Sequence, residues 1–489
     1  MRYIILSICL LGGIFVVNAQ IASDALRYSN ISYGVSTARS LGVGGSLGAL
    51  GTDYSVLSTN PAGLGMYRRS EFVISPSVFA AKTTSELLGT STSEDRTEAD
   101  FNLANIGAVF VSQPRGRKWK TFNFGIGFNR LANFDQEFYY EGATPATVTD
   151  RFLDVANDIG LDQFEAGVAA DASAIYEAEA GSGFYISDFS NLNLGALINK
   201  NQLVERSGSL NELVFSFAGN YNERLIAGLT IGIPFLTFTE VKTYQESDPT
   251  DEIEFFNELE YIERLTTNGI GINAKLGLIF RASQAIRLGA AVHTPTNFGM
   301  DDLFTTDLTY SYTDADNDGP VIASSPTGSF DYRLKTPWRY FANAGFIIGR
   351  SGFISAEVEY VDHSGSTFDL TSDSNSPEDL AYQNDLNDEV LNSFQSALNI
   401  RIGGEWAISQ FRLRGGYQLL GATANENELG GVLSLGAGVR GKNVYLDLGY
   451  QRATSENVYS PYLTSFANEP IIDNKINASR YLMTIGYKF

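Results

Sequence analysis

The chain has 489 residues, of which 34 are Lys or Arg and 56 are Asp or Glu, giving a net charge of −22. A protein this acidic repels the phosphates of nucleic acids, which excludes a nucleic-acid partner. Cys9 is the only cysteine. The composition therefore also excludes a disulfide framework and a thiolate metal cluster.

Residues 1–19 are typical of a secretory signal peptide. An apolar run over residues 3–17 leads into the small-residue site Val17-Asn18-Ala19. We expect cleavage before Gln20, which would remove Cys9 and leave no cysteine nucleophile. No later run of about 18 apolar residues occurs, which excludes a helical membrane protein.

Fourteen later segments alternate apolar and polar residues over about ten positions, as strands with a lipid side and a lumen side do. They lie at about 70–83, 99–112, 120–134, 206–220, 224–243, 262–280, 285–297, 337–349, 353–363, 394–407, 410–421, 429–440, 443–454 and 477–489. Short turns and long loops alternate strictly between them, which a soluble sandwich has no reason to show. We predict an all-β fold, a 14-stranded antiparallel transmembrane β-barrel with both chain ends on the short-turn, periplasmic side.

The stretch 37–67 does not resemble a strand. It is rich in glycine, Asp53 can cap a short helical turn, and Asn60-Pro61 fixes a sharp corner. Its motif residues are Ala38-Arg39, Gly42, Gly44, Gly45 and Asn60-Pro61-Ala62-Gly63-Leu64. They resemble the N-terminal hatch of the FadL/TodX family of outer-membrane transporters. Taken alone, the corner motif is as consistent with a glycine-rich surface linker.

The resemblance implies a division of the chain into a signal peptide at 1–19, a hatch at 20–69 that plugs the lumen, and a barrel with long extracellular loops at 70–489. It implies that Asn60, Pro61, Ala62 and Gly63 hold a corner of the plug, and that Gly42, Gly44 and Gly45 let it move. It also implies a location in the outer membrane of a Gram-negative bacterium. Phe489 resembles the terminal signal read by the outer-membrane insertion machinery.

The function implied by the resemblance is passive uptake of hydrophobic compounds, either long-chain fatty acids or aromatic hydrocarbons. The expected partners are hydrophobic small molecules and outer-membrane lipid, with no cofactor and no enzymatic activity. The acidic loops disfavour docking of an anionic head group. Two alternatives are a structural barrel and a surface receptor without transport, for example for haem held by His293 and His363 at the extracellular ends of strands.

Two strands carry candidate irregularities. In the FadL/TodX family a kinked third strand opens a window through the barrel wall, which here points to the stretch from Asn129 to Asp135. Pro234 interrupts the fifth strand and predicts a bulge or gap, because proline cannot donate a ladder hydrogen bond. The loop after strand three shows helical stripes at 152–159 and 164–175. Those helices either form a substrate groove or pack on the barrel rim.

Asp314, Asp316 and Asp318 match the start of a calcium loop. Position twelve of that loop is Ser325 instead of a bidentate Glu, and no helix pattern flanks it. An acidic solvated turn is therefore the favoured interpretation, and no metal site is predicted.

Overall fold

The computed structural model describes residues 21–31, 33–90, 92–115, 118–190, 197–248, 253–313, 319–370, 376–424, 430–465 and 469–489. The predicted leader at 1–19 lies outside these described residues. The calcium candidates Asp314, Asp316 and Asp318 lie outside them as well.

Fourteen antiparallel strands form a closed barrel, as predicted. They are β1 (Glu71–Leu87), β2 (Ser93–Ser112), β3 (Trp119–Asn133, resuming at Gln136–Thr144), β4 (Ile198–Tyr221), β5 (Leu225–Ser247), β6 (Phe256–Arg281), β7 (Ile286–His293, resuming at Asn297–Tyr312), β8 (Gly328–Lys335, resuming at Arg339–Ile348), β9 (Gly352–Asp362), β10 (Ser396–Ile408), β11 (Phe411–Leu420), β12 (Gly430–Arg440), β13 (Val444–Tyr459) and β14 (Ile472–Lys488). The barrel closes where β1 pairs with β14, from Glu71 opposite Lys488 to Leu87 opposite Ile472.

The two ends of the barrel differ. At one, the short-turn end, connections of a few residues join β2 to β3, β4 to β5 and so on. At the other, the long-loop end, the connections carry extra structure: α3 (Val148–Asp158) and α4 (Ala166–Asp171) follow β3, and α5 (Pro377–Ser393) follows β9. Small pieces there are the pair Tyr176–Glu177 with Tyr185–Ile186, the strands Val321–Ser324 and Thr367–Asp369, and a 3-10 turn at His363–Gly365.

The outer surface of the barrel is apolar. On β6, Leu276 and Leu278 are each 53% exposed, whereas the alternating side chains of Lys275 and Ile279 point inward and are fully buried. This inverts the arrangement of a soluble sandwich, whose apolar face is the inner one, and is the surface that a barrel presents to lipid.

Among the described residues, no helix has both the length and the apolar character needed to cross a membrane.

Residues 21–67, which we call the luminal segment, lie inside the barrel. The segment forms α1 (Ala22–Ser29), α2 (Ala38–Gly42) and 3-10 turns at Tyr54–Leu57 and Pro61–Met66. Thr37, Asp53 and Asn60 cap the last three of these elements through their side-chain oxygens. α2 contacts β11 to β14, whereas the turn at Pro61–Met66 contacts β3 to β6. The segment therefore bridges well-separated parts of the wall.

A candidate passage through the barrel

The corner at Asn60 is fixed from both sides. Its Oδ1 accepts the Ala62 N–H at 3.2 Å, which caps the turn that Pro61 begins. Its Nδ2 donates to Oδ1 of Asn343 at 3.3 Å and to the Leu278 carbonyl at 3.4 Å. One amide thus holds the local turn and joins it to β6 and β8.

Glycines in the wall allow this close approach. A Cβ at Gly277 would lie 2.0 Å from Oδ1 of Asn60, and one at Gly228 would lie 2.4 Å from the Pro61 carbonyl group. Gly63 sits against Val56 of the preceding turn, where a Cβ would come within 2.9 Å. Sequence reasoning did not identify these wall glycines as contact sites. The available signal was a glycine at an inward-facing position of a strand, which marks the close approach of another backbone.

The glycines of the motif lie against the opposite wall. A Cβ at Gly42 would lie 3.0 Å from Cα of Gly436 on β12. Gly44 and Gly45 have φ of +64° and +78°, a conformation that side chains with a Cβ rarely adopt. These glycines therefore meet a requirement for tight turning and tight packing.

Buried ion pairs surround the corner. Lys275 and Glu212, both fully buried, meet at 2.5 Å, and Ser58 of the luminal segment donates to the same carboxylate at 2.9 Å. On the other side, Arg401 pairs with Glu357 at 2.8 Å and Glu359 at 2.5 Å. Because charges buried in this way need their partners, the groups define one arrangement of segment and wall.

Both histidines also face the luminal segment. His293 is 2% exposed and its Nε2 donates to the Thr59 carbonyl at 2.7 Å. His363 is 1% exposed and its Nδ1 lies 3.5 Å from Oγ of Ser29. Neither side chain is exposed at the rim. His363 directly follows the end of β9 on the long-loop side, as expected, whereas the expectation that His293 stands at the extracellular end of its strand was wrong. β7 resumes at Asn297 and continues to Tyr312, which places His293 deep in the barrel.

An apolar cluster surrounds α1 nearer the long-loop end. The ring of Tyr28 packs edge-on against Phe134 at 6.0 Å and against Phe238 at 6.1 Å between centroids. Phe134 and Phe238 contact each other at 5.6 Å. The wider cluster adds residues of β6, β7 and β8 and two of α5, Leu386 and Val390. A loop helix and the wall thus enclose α1 together.

The strand that carries Phe134 is broken at that point. β3 stops at Asn133 and resumes at Gln136, and Oδ1 of Asp135 accepts the Gly208 N–H at 3.0 Å across the break. Asn129, opposite Asn105, is the last residue of β3 that pairs with β2, and its Nδ2 donates to Oγ of Ser58 at 2.8 Å.

Beyond Asn105 the described part of β2 pairs with β1 alone. The resumed half of β3 instead bends inward over β1, where Gln136 donates to Thr83 at 3.4 Å and Tyr140 packs on Leu87. An interruption in the β2–β3 ladder therefore lies beside the aromatic cluster around α1.

Pro234 lies on β5 opposite Glu212 of β4. Toward β6 the ladder skips it, passing from Gly232 paired with Asn273 to Phe235 paired with Ile270. Pro234 thus occupies a local gap next to the buried Lys275–Glu212 pair, on a different part of the wall from the break in β3.

The long-loop end holds a small cavity of about 200 Å³. Its apolar lining includes Phe152, Tyr244, Tyr261 and Tyr462, and its charged lining comprises Arg151, Glu165 and Glu263. Arg151 pairs with Glu165 at 2.8 Å. Burial raises the pKa of the Glu165 carboxyl, and the charge of Arg151 opposes that rise.

α3 begins at this cavity with a capping box. Oγ1 of Thr147 accepts the Thr149 N–H at 3.2 Å, and the Asp150 carboxylate accepts the Thr147 N–H at 3.2 Å. Burial raises the pKa of Asp150 to about 6, assisted by the nearby charges of Glu246 and Asp154 and opposed by the Thr147 hydrogen bond.

Solved structures share this architecture. A Pseudomonas aeruginosa FadL homologue matches with a TM-score of 0.55 at 10% identity, over 93% of this chain and 98% of that one. The toluene transporter TbuX of Ralstonia pickettii matches with a TM-score of 0.51 at 15% identity, over 93% and 98%, and TodX of P. putida with 0.51 at 11%, over 94% and 99%. The chain has the FadL/TodX fold. No protein-family model and no curated protein matches the sequence.

Within the FadL/TodX fold, the predicted corner residues and glycines lie in the lumen against the wall, and the third-strand candidates lie at the break in β3. Sequence reasoning missed α1, the aromatic contacts of Tyr28 and the buried ion pairs. In the described part of the chain no three His, Cys, Asp or Glu residues come together to hold a metal ion. The haem alternative finds no support, since both histidines bond to the luminal segment.

Proposed function

We propose that the protein is an outer-membrane transporter for the passive uptake of small hydrophobic compounds, with residues 20–69 as its hatch. The observation that carries the proposal is the contact of Tyr28 with Phe134. It places an aromatic side chain of the luminal segment at the break in the wall. The names of the solved relatives, which include toluene transporters, support the same function.

The route begins at the long-loop end. A hydrophobic solute enters between the loop helices, reaches the apolar cluster and takes the place of α1 against Phe134 and Phe238. It then leaves sideways, through the interrupted ladder between β2 and β3. Passage down a concentration gradient needs neither an energy source nor a cofactor.

The cavity at the mouth favours an uncharged solute of about one ring. Its volume of about 200 Å³ is below the roughly 300–1,000 Å³ of pockets for drug-sized ligands. The charged groups in its lining already pair, Arg151 with Glu165 at 2.8 Å and Glu263 with Lys242 at 3.5 Å, so the cavity offers no unpaired cation of its lining to a carboxylate head group. Aromatic hydrocarbons are therefore the first candidate substrates, and long-chain fatty acids the second.

The proposed location is the outer membrane of a Gram-negative bacterium, with outer-membrane lipid around the apolar face of the barrel. The predicted leader at 1–19 would direct export, and Phe489 would be read by the insertion machinery. The short-turn end then faces the periplasm.

The first test is uptake of labelled toluene and labelled oleate by cells that lack their own transporters, with and without this chain. We expect faster toluene uptake and a smaller gain for oleate. No gain for either compound, with folded protein shown to be in the outer membrane, would refute transport. A gain for oleate alone would reverse the proposed substrate order.

A disulfide lock separates sideways release from passage along the whole lumen. Oγ of Ser46 lies 2.8 Å from Oγ of Ser355 on β9, so Ser46→Cys with Ser355→Cys ties the middle of the luminal segment to the wall. The matched control is Ser75→Cys with Thr484→Cys, a pair 2.6 Å apart that joins β1 to β14 only. We expect uptake to survive both locks, whereas loss in the first lock alone would show that the solute passes through the plug.

A further inference from the structure

Exposed cations encircle the short-turn end of the barrel. Arg69 precedes β1, Arg115 and Lys118 join β2 to β3, and Arg224 joins β4 to β5. Arg350 joins β8 to β9 and Lys442 joins β12 to β13. We call these six residues the basic ring. They form a positive zone on a chain whose net charge is −22.

In the described part of the chain, no carboxylate neutralises the charges of the basic ring. None of the six forms an ion pair with a carboxylate among the described residues, and Arg69 donates to the Lys488 carbonyl at 2.8 Å. Nearby, Arg281 pairs with Glu223 at 2.8 Å, and Arg68 pairs with the same carboxylate. Glu223 is the single acidic side chain in the turn between β4 and β5. It is therefore already shared by Arg281 and Arg68, which do not belong to the ring.

The ring lies at the edge of the apolar outer surface. Lys118 adjoins Trp119, which is 41% exposed, and Arg224 adjoins Leu225, which is 45% exposed. Arg350 and Lys442 each lie two residues from an exposed apolar side chain, Ile348 at 44% and Val444 at 51%. Side chains that contact hydrocarbon are thus followed directly by cations, which is the order of acyl chains and phosphates in a leaflet.

We infer that the basic ring binds the phosphate head groups of anionic phospholipids in the leaflet on the short-turn side. The cations occur at four separate positions around the circumference, since Arg69 donates to the Lys442 carbonyl at 3.2 Å, whereas a docked protein partner would use one contiguous patch. Lipid surrounds a barrel on all sides, and so does the ring. This inference goes beyond the proposed function and rests only on the location of the barrel in a membrane.

The test measures lipid selectivity in phosphatidylcholine vesicles that contain the full chain. Trace spin-labelled phosphatidylglycerol or phosphatidylcholine is added, and the motionally restricted fraction of the electron paramagnetic resonance spectrum gives the relative association constant. We expect a preference for phosphatidylglycerol of about threefold or more at low salt, falling as salt is raised.

The ring variant carries Lys118→Gln, Arg224→Gln, Arg350→Gln and Lys442→Gln. Its control carries four changes of the same kind at exposed cations of the long-loop end, Lys82→Gln, Arg333→Gln, Lys335→Gln and Lys475→Gln. We expect the preference to disappear in the ring variant and to persist in the control.

Three outcomes would overturn the inference: no preference in the unmodified chain, a preference retained by the ring variant, or equal loss in both variants. Heat-modified mobility on electrophoresis confirms that each variant is folded. Toluene uptake separates this result from the proposed function, because the ring lies away from the proposed route and the ring variant should keep its uptake.

Discussion

Two regions of the luminal segment are held in opposite ways. The corner at Ser58–Gly63 is anchored by hydrogen bonds to β4, β6, β7 and β8, in contact with the buried pair Lys275–Glu212. α1 is packed by the aromatic rings of Phe134 and Phe238, and its buried carboxylate, Asp24, pairs with Arg27 within the helix itself. The boundary falls at Ser29, whose carbonyl accepts a hydrogen bond from Arg339.

For the proposed route, the difference decides which region a hydrophobic solute would replace. Removing the corner would leave buried donors, acceptors and charges without partners, and a hydrocarbon could not satisfy them. Removing the Tyr28 ring exposes apolar surface that a hydrocarbon covers equally well. The chemistry of the contacts therefore separates a fixed anchor from an exchangeable occupant.

The largest effect should come from breaking the ion pair at the anchor. Lys275→Met leaves the carboxylate of Glu212 buried without its partner, which should cost about 3–5 kcal/mol of stability. Guanidinium unfolding of the protein in lipid vesicles measures this. The double variant Lys275→Met with Glu212→Gln should recover most of the loss, and failure to recover would mean that the pair does more than neutralise itself.

A second change tests the exchangeable region. Tyr28→Ala removes two aromatic contacts worth about 3–5 kcal/mol, so α1 should open more often. In an Ala25→Cys background, whose thiol is the only one once the predicted leader is cleaved, external maleimide should react more than tenfold faster. Tyr54→Ala, at the short helical turn before the corner, is the control and should leave this rate unchanged. If Tyr28→Ala and Tyr54→Ala accelerated the maleimide reaction equally, the two regions would not differ in how firmly they are held.

A smaller effect is expected at Asn60. Asn60→Ala removes the cap of the turn at Pro61–Met66 and the bond to Asn343, at a cost of about 1–2 kcal/mol. Planar-bilayer conductance should rise as the plug loosens. Asn60→Ser retains an oxygen that can cap the turn, but its side chain is too short to bond Asn343 of β8. Its conductance should therefore lie between that of the unmodified protein and that of Asn60→Ala. Unchanged conductance and uptake in Asn60→Ala would count against an anchoring role.

The smallest effect is a pH dependence at the mouth. Because the folded-state pKa of Asp150 is raised to about 6 from 3.8, its contribution to stability is present below about pH 4 and is lost as the pH rises through 6. After allowance for its partial exposure, we expect about 1 kcal/mol. Hydrogen exchange of α3, corrected for intrinsic rates, should show less protection at pH 7 than at pH 4. Asp150→Asn should abolish that difference while leaving α1 unaffected.

The barrel could be predicted because its pattern is local. Alternation along each strand and the lengths of the linkers are read within a few residues, and all fourteen strands are present. Their ends were less visible, since the parts nearer the long-loop end carry polar residues on both faces. β4 begins at Ile198 instead of near 206, and β7 passes through the break at Thr294–Thr296, which is why His293 was misplaced.

The contacts of the luminal segment could not be predicted in this way. Tyr28 and Phe134 are separated by more than 100 positions, and Glu212 and Lys275 by 63. Each of these residues has an ordinary local sequence, and only closure of the barrel brings them together. The motif around Asn60 was visible because its turn chemistry is local, but the wall glycines opposite it were not.

The broken ladder between β2 and β3 sets the length of the slot by which the proposed route leaves the barrel. The edge of β2 that faces β3 has no partner strand from Ser93 to Ala104, but residues 93–100 are almost all polar or charged, which suits water and head groups, not hydrocarbon. Unpaired backbone groups are costly in the hydrocarbon core. Only Phe101–Ala104 borders the apolar belt, a slot of about 13 Å at about 3.3 Å per residue. In the proposed route, a slot of that length would admit a flat ring or a single acyl chain edge-on and exclude a bulky head group, so the wall itself would act as a sieve.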